Sequence, residues 1–323
     1  MFKTRVTEML GIKHPIICGG MSAITRAEFV AAVANAGAFS ILASASLETP
    51  EALRKEIRKT KSLTDKPFGV NLSLFPSVRP IPNDEFVEVI VEEGVKAVET
   101  SGVRAPAEYV PRLREGKVLI IHKAATVRHA LKGQEVGADM ITIVGIENGG
   151  ATGVEDVSTL VLVPILTREA KLPVIAGGGF ADGRGLVAAL ALGAEAIIMG
   201  TRFMATKECP IHPNFKKWLL EATERDTVLV MRSIKNTHRA LRSKTTEKLL
   251  EMEARDATLK EMLPIIGHDA YVKTALEGDF EAGLAMAGQA VGLINDIPTV
   301  KELVDRIMAE AEAVRQRLNK LAA

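Results

Sequence analysis

Residues 173–204, PVIAGGGFADGRGLVAALALGAEAIIMGTRFM, contain two consecutive βα units and constrain the fold more than any other stretch. An apolar strand beginning at Pro173 ends in Gly177-Gly178-Gly179, and a helix follows from near Gly183. A second apolar strand over 196–199 ends in Gly200-Thr201. Glycine-rich turns at the carboxyl ends of two successive strands form the phosphate-binding corner of a (β/α)8 barrel. Glycine there lets the backbone approach an anion with its N–H groups aimed at it, often at positive φ. The helix starting near Gly183 is expected to add the positive end of its dipole. The chain is therefore expected to hold a phosphorylated ligand.

The rest of the chain extends the pattern. Apolar strands read over 14–18, 39–43, 68–74, 97–100, 118–122, 140–144, 174–176 and 196–199, with amphipathic or alanine-rich helices between them, such as 26–36, 84–93 and 127–136. Strands alternating with helices predict parallel pairing through helical crossovers. Eight such units fit a closed (β/α)8 TIM barrel, with a doubly wound open sheet as the alternative. The length of 323 residues suits one barrel with a small appendage. After Thr206 the rhythm stops. Residues 207–285 read as a charged, helical domain inserted after the last strand to cover the barrel mouth, and 286–323 as a Gly-rich turn and a terminal helix docking on the barrel. The barrel is thus assigned to 1–206 and 286–323.

A formal charge of +1 gives no electrostatic footprint for nucleic acid or an anionic membrane. No apolar run approaches a membrane span, and MFKTRVTEML lacks the features of a signal peptide. Cys18 and Cys209 form no disulfide framework. A cytoplasmic protein without membrane insertion, acting on a small molecule as a monomer or homodimer, is the expectation. No His, Cys and carboxylate cluster has metal-ligand spacing.

Barrel chemistry lies at the carboxyl ends of the strands. The first ends in Cys18-Gly19-Gly20-Met21, where a flat ligand can approach the backbone. Asn71 in the third places an amide at the mouth, and Lys123 at the end of the fifth adds a cation beside an apolar interior. The sixth is followed by Glu147-Asn148-Gly149-Gly150-Ala151-Thr152-Gly153. GGGFADGRG lacks both the dinucleotide fingerprint spacing and the lysine of a P-loop. A phosphate at strands seven and eight, with a planar electron-accepting head near strands one, three and five, describes FMN better than a sugar phosphate.

These residues resemble the nitronate monooxygenase (2-nitropropane dioxygenase) family of FMN-dependent barrels, which includes bacterial NADH:quinone reductases and flavin-dependent enoyl-acyl-carrier-protein reductases. The likeness runs nearly end to end through HPIICGGM (14–21), FGVNLSLFP (68–76), IIHKAATVRHALK (120–132), GGFADGRGLVAALALGAEAIIMGTRFMATKECPIHP (178–213) and IMAEAEAVRQRL near the end. ADGRG and ECPIHP look most like the quinone reductase branch. The resemblance implies FMN phosphate on Gly177, Gly178, Gly179, Gly200 and Thr201. It implies ring contacts from Gly19, Gly20, Met21, Asn71 and Lys123, further cofactor contacts from Gly149 and Gly150, and Gly288 and Gln289 returning to the site.

One departure stands out. The family's histidine after the glycine pair is here Ala151. Glu147 is the best remaining acid or base, with Lys123 as the flavin-side cation. Of the other histidines, His122 is expected to face the helices if Lys123 faces the ligand, and His238 and His268 lie in the cover domain. NADH- or NADPH-dependent reduction of a quinone or other electron-poor acceptor is the leading expectation, because it needs no dedicated base. The alternatives are nitronate monooxygenase, an enoyl-thioester reductase and a flavin-binding barrel without turnover. Arg104, Arg232, Lys235 and Arg239 are candidates for a second anion site.

Overall fold

A computed structural model describes residues 2–75 and 81–322; Met1, Ala323 and Pro76, which ends the FGVNLSLFP match, lie outside it. Eight parallel strands close into a barrel: β1 (Ile16–Cys18), β2 (Phe39–Ala43), β3 (Gly69–Leu74), β4 (Ala97–Gly102), β5 (Leu119–Ala124), β6 (Met140–Val144), β8 (Val174–Gly177) and β9 (Ala196–Met199). The two-residue strand β7 (Gly150–Ala151) belongs to a different sheet. Closure comes from β1 pairing with β9, Ile17 opposite Ile198. The TIM barrel is therefore closed, and the open-sheet alternative falls.

Strands that are buried on both faces carry continuous apolar runs, which is how these read. Ile17, Phe39, Ile41, Ile121, Met140, Ile175 and Ile198 fill the barrel with Val6 and Leu10 of the helix Arg5–Leu10, which closes the amino-terminal end. The strand β5 runs to Ala124, so Lys123 lies within it rather than beyond it. The terminal helix Val300–Leu321 starts with a capping box on Thr299 and packs on the helix Gly183–Ala191, where Glu310 Oε2 accepts from Gly183 N at 2.8 Å.

Residues 207–285 are not helical throughout, as their charge pattern led us to expect. Between the helices Pro213–Glu221 and Lys244–Ala254 lies an antiparallel hairpin, β10 (Thr227–Val230) and β11 (His238–Leu241). The sequence HRAL has no apolar alternation. It becomes a strand because β10 pairs on one side and β7 on the other, tertiary pairing overriding local preference. Trp218 stacks edge-on against Phe280 at 4.5 Å, inside the packing of this segment. Among the described residues no helix is long and apolar enough to cross a membrane.

Candidate active site

A cavity of about 540 Å³ opens at the carboxyl ends of the barrel strands. One side is barrel: Gly20 and Met21 after β1, Asn71, Lys123, and Gly200-Thr201 after β9. The other is built from the loop after β6, Gly149 to Ala151, together with Asn236, Thr237, His238, His268 and Tyr271.

The barrel side has a buried polar cluster. Glu99 on β4 is fully buried; Lys123 Nζ approaches its Oε2 at 3.3 Å, and Asn71 Nδ2 donates to the same oxygen at 2.8 Å. Asn71 Nδ2 also donates to Ser101 Oγ at 3.1 Å, so Oδ1 is the amide atom left to accept from a ligand. Glu99 Oε1 has no hydrogen-bond partner among the described residues. Sequence reasoning missed Glu99. Its signal was a carboxylate two residues after Ala97 in the strand AVETSG, at the period-2 position that faces inward. His122 turns the other way, as alternation requires: Nδ1 lies 3.0 Å from Thr100 Oγ1, and burial pushes the imidazole down to about 4.

The glycine turns separate into packing and open positions. A Cβ at Gly177 would strike Ile198 and Val144 at under 3 Å, and one at Gly178 would strike Thr159 Oγ1 at 2.8 Å. At Gly179 the nearest atom would be Glu147 Cβ at 3.7 Å, and at Gly200 it would be Met21 Sδ at 3.5 Å. Gly178 and Gly179 both have positive φ, 98° and 82°. These turns leave room beside exposed backbone for an anion, which fits a flavin phosphate. Gly19, Gly177, Gly178, Gly179 and Gln289 do not line the cavity.

Two expectations are corrected. The helix Gly183–Ala191 does not offer its N-terminus to a phosphate. Asp182 Oδ1 accepts from Gly185 N at 2.8 Å and Glu310 accepts from Gly183 N, so two carboxylates already occupy the positive end. Glu147 is not placed as an acid or base either. Its carboxylate accepts from Thr159 N and Oγ1 at the start of the helix Thr159–Glu169, and it lines no part of the cavity.

The loop after β6 is held from outside the barrel. A Cβ on Gly149 would come within 2.6 Å of Gly288 N, so the two backbones lie against each other. Gln289 N donates to Glu147 O at 3.0 Å. Arg239 is buried and donates through Nε to Ile146 O and through Nη1 to Thr227 Oγ1, both at 2.9 Å. It is a strut and does not serve the anion site suggested for it. Arg232 is paired with Asp156 at 2.8 Å and Arg104 with Glu108, which leaves Lys235, on the cavity wall, as the accessible cation of the four.

Ala151 lines the cavity, and its cross-strand partner on β11 is His238. His238 Nδ1 lies 2.7 Å from Asn236 O, and burial lowers its affinity for a proton. Sequence reasoning named His238 without a reason to prefer it, since only the hairpin brings it to this loop.

A family model described as nitronate monooxygenase matches residues 3–310. A Rhodococcus jostii protein named (3aS,4S,5R,7aS)-5-hydroxy-7a-methyl-1-oxo-octahydro-1H-indene-4-carboxyl-CoA dehydrogenase is 34% identical, the alignment covering 96% of each chain. A nitronate monooxygenase of Paraburkholderia phytofirmans is 30% identical over 99% of this chain and 98% of its own. The structure of FabK from Thermotoga maritima superimposes with a TM-score of 0.91 at 38% identity, covering 99% of this chain and 100% of that one.

Proposed function

The chain belongs to the nitronate monooxygenase family of oxidoreductases, and on that premise we propose that it is an FMN-dependent enzyme acting on the α,β carbon pair of an acyl thioester, with NADH or NADPH as the other partner. The observation that carries the flavin reading is the meeting, on the barrel side of one cavity, of the open turn Gly200-Thr201 and the Asn71–Glu99–Lys123 cluster. Bound FMN would supply hydride chemistry that no side chain here can perform. Gly200 and Thr201 would hold its phosphate, with the open backbone of Gly179 completing the turn. Gly20, Met21 and Asn71 would line its ring system, and Asn71 Oδ1 would accept from a ring N–H.

Lys123 would sit at the electron-rich edge of the ring. Glu99 fixes the ammonium in place, and a cation there favours negative charge on the bound ring system. Thr201 Oγ1 accepts from Gly288 N at 2.9 Å and ties the phosphate turn to the segment behind the β6 loop. The thioester substrate is supported by the end-to-end similarity to a relative named for a CoA thioester. Quinone reduction is the second reading, favoured by Ala151, because electron transfer to a quinone needs orientation more than a base.

An anaerobic absorbance titration separates these readings. The expected result is a yellow protein bleached by NADH or NADPH and recoloured by crotonyl-CoA. Recolouring by a quinone but not by the thioester selects the second reading. Bleaching by a nitronate alone overturns both.

A further inference from the structure

We infer that His238 does the proton transfer for which the β6 loop of this chain has no side chain, its Nε2 exchanging a proton with the α-carbon of the thioester. This rests on the thioester reading above. In an antiparallel ladder, directly opposed residues share one face of the sheet, with Cβ atoms ~4.5–5.5 Å apart. Ala151 and His238 are such a pair and both line the cavity, so the imidazole stands beside the methyl group where the family has a histidine. A carbonyl oxygen can only accept, so His238 Nδ1 donates to Asn236 O. That bond fixes the tautomer and leaves Nε2, which has no protein partner among the described residues, for the substrate.

Burial keeps the resting ring neutral, with the Nε2 lone pair available as a base. In the oxidising direction Nε2 takes the α-proton while hydride leaves the β-carbon for oxidised flavin, and the electron pair of the α C–H bond forms the C=C bond. In the reducing direction hydride from flavin reduced by NAD(P)H forms the β C–H bond. The π pair moves to the α-carbon and carbonyl, and the Nε2 proton of an imidazolium, taken up from water, closes the α C–H bond.

Other groups on the wall fit less well. His129 Nε2 is engaged by Arg128 at 3.1 Å, and burial raises the Tyr271 phenol so that it stays protonated and cannot take the α-proton. His268 opens the short helix His268–Val272 and has no register with Ala151.

The test is stopped-flow on the flavin-loaded protein, with NADPH and crotonyl-CoA mixed in separate half-reactions. We expect His238→Gln to slow recolouring by crotonyl-CoA about 10²–10³-fold more than it slows bleaching. The pair Ala151→His and His238→Gln, which moves the imidazole to the family position, should recover at least tenfold of that loss. In the wild-type protein the ¹³Cε1 resonance of His238, assigned through its backbone, should shift when crotonyl-CoA binds oxidised enzyme. Equal effects on both half-reactions, or a resonance that ignores crotonyl-CoA, overturns the assignment. A wild-type protein that crotonyl-CoA never recolours overturns the thioester reading instead.

Discussion

The two sides of the cavity are held in different ways. The barrel side hangs on parallel strands whose ladder continues around a closed ring, and its polar residues answer one another across adjacent strands: Asn71, Glu99 and Lys123 on β3, β4 and β5. The covering side hangs on a three-stranded sheet, one strand of which is two residues long, and on Arg239 reaching back to Ile146. The first side needs only neighbouring strands. The second needs segments about ninety residues apart in sequence, such as Ile146 and Arg239, to find each other. Residues that a barrel must present at its mouth are therefore set by local alternation. Residues such as His238 reach the site only through long-range pairing.

The comparison can be broken most severely on the barrel side. Lys123→Ala leaves the Glu99 carboxylate buried without its cation, which costs on the order of 3–4 kcal/mol. We expect that loss in urea unfolding, with reduced flavin retention on gel filtration. Unchanged stability would show that the pair does not hold this side.

Acid attacks the same side through His122. Its imidazole, nearly free of solvent, is held neutral down to about 4 against an ordinary 6.5. Between those values the unfolded chain binds the proton and the folded one does not, so stability present above pH 6.5 is lost as the pH falls toward 4. The loss is about 3 kcal/mol. The stability difference between wild type and His122→Gln, followed from pH 7 to 4, should shrink across this window. A constant difference would refute the assignment.

On the covering side the effect is smaller and local. Gly149→Ala drives a methyl group into Gly288 N and should cost about 2 kcal/mol. Hydrogen exchange should quicken in β7, β11 and the 288 segment while β3 to β5 keep their protection. Uniform quickening would mean that the two sides unfold as one. Smallest of all, Asp182→Ala removes a helix cap worth about 1 kcal/mol, and flavin affinity should not fall. A marked rise in affinity would show that Asp182 competes with the phosphate for the helix end.

Much of the barrel was legible from residue pattern. Short apolar strands alternating with helices admit few other arrangements, and Gly200, Asn71 and Lys123 sit at the mouth as expected from their places in or just after their strands. Glu147 and the helix after Gly183 were misread for one reason. Both offer groups that suit a ligand, and both find partners within the protein instead, in Thr159 for the carboxylate and in Asp182 and Glu310 for the helix end. A sequence displays donors and acceptors but not which of them are already satisfied.

The amino-acid sequence by itself determined the eight-unit barrel, the open turns where an anion fits and the family to which the chain belongs, because these depend on periodicity and on residues close together along the chain. Tertiary structure alone decided that Glu99 holds Lys123, that the covering segment carries a hairpin, and that His238 stands beside Ala151. Each of those contacts joins residues on separate elements, and no local propensity encodes which elements meet.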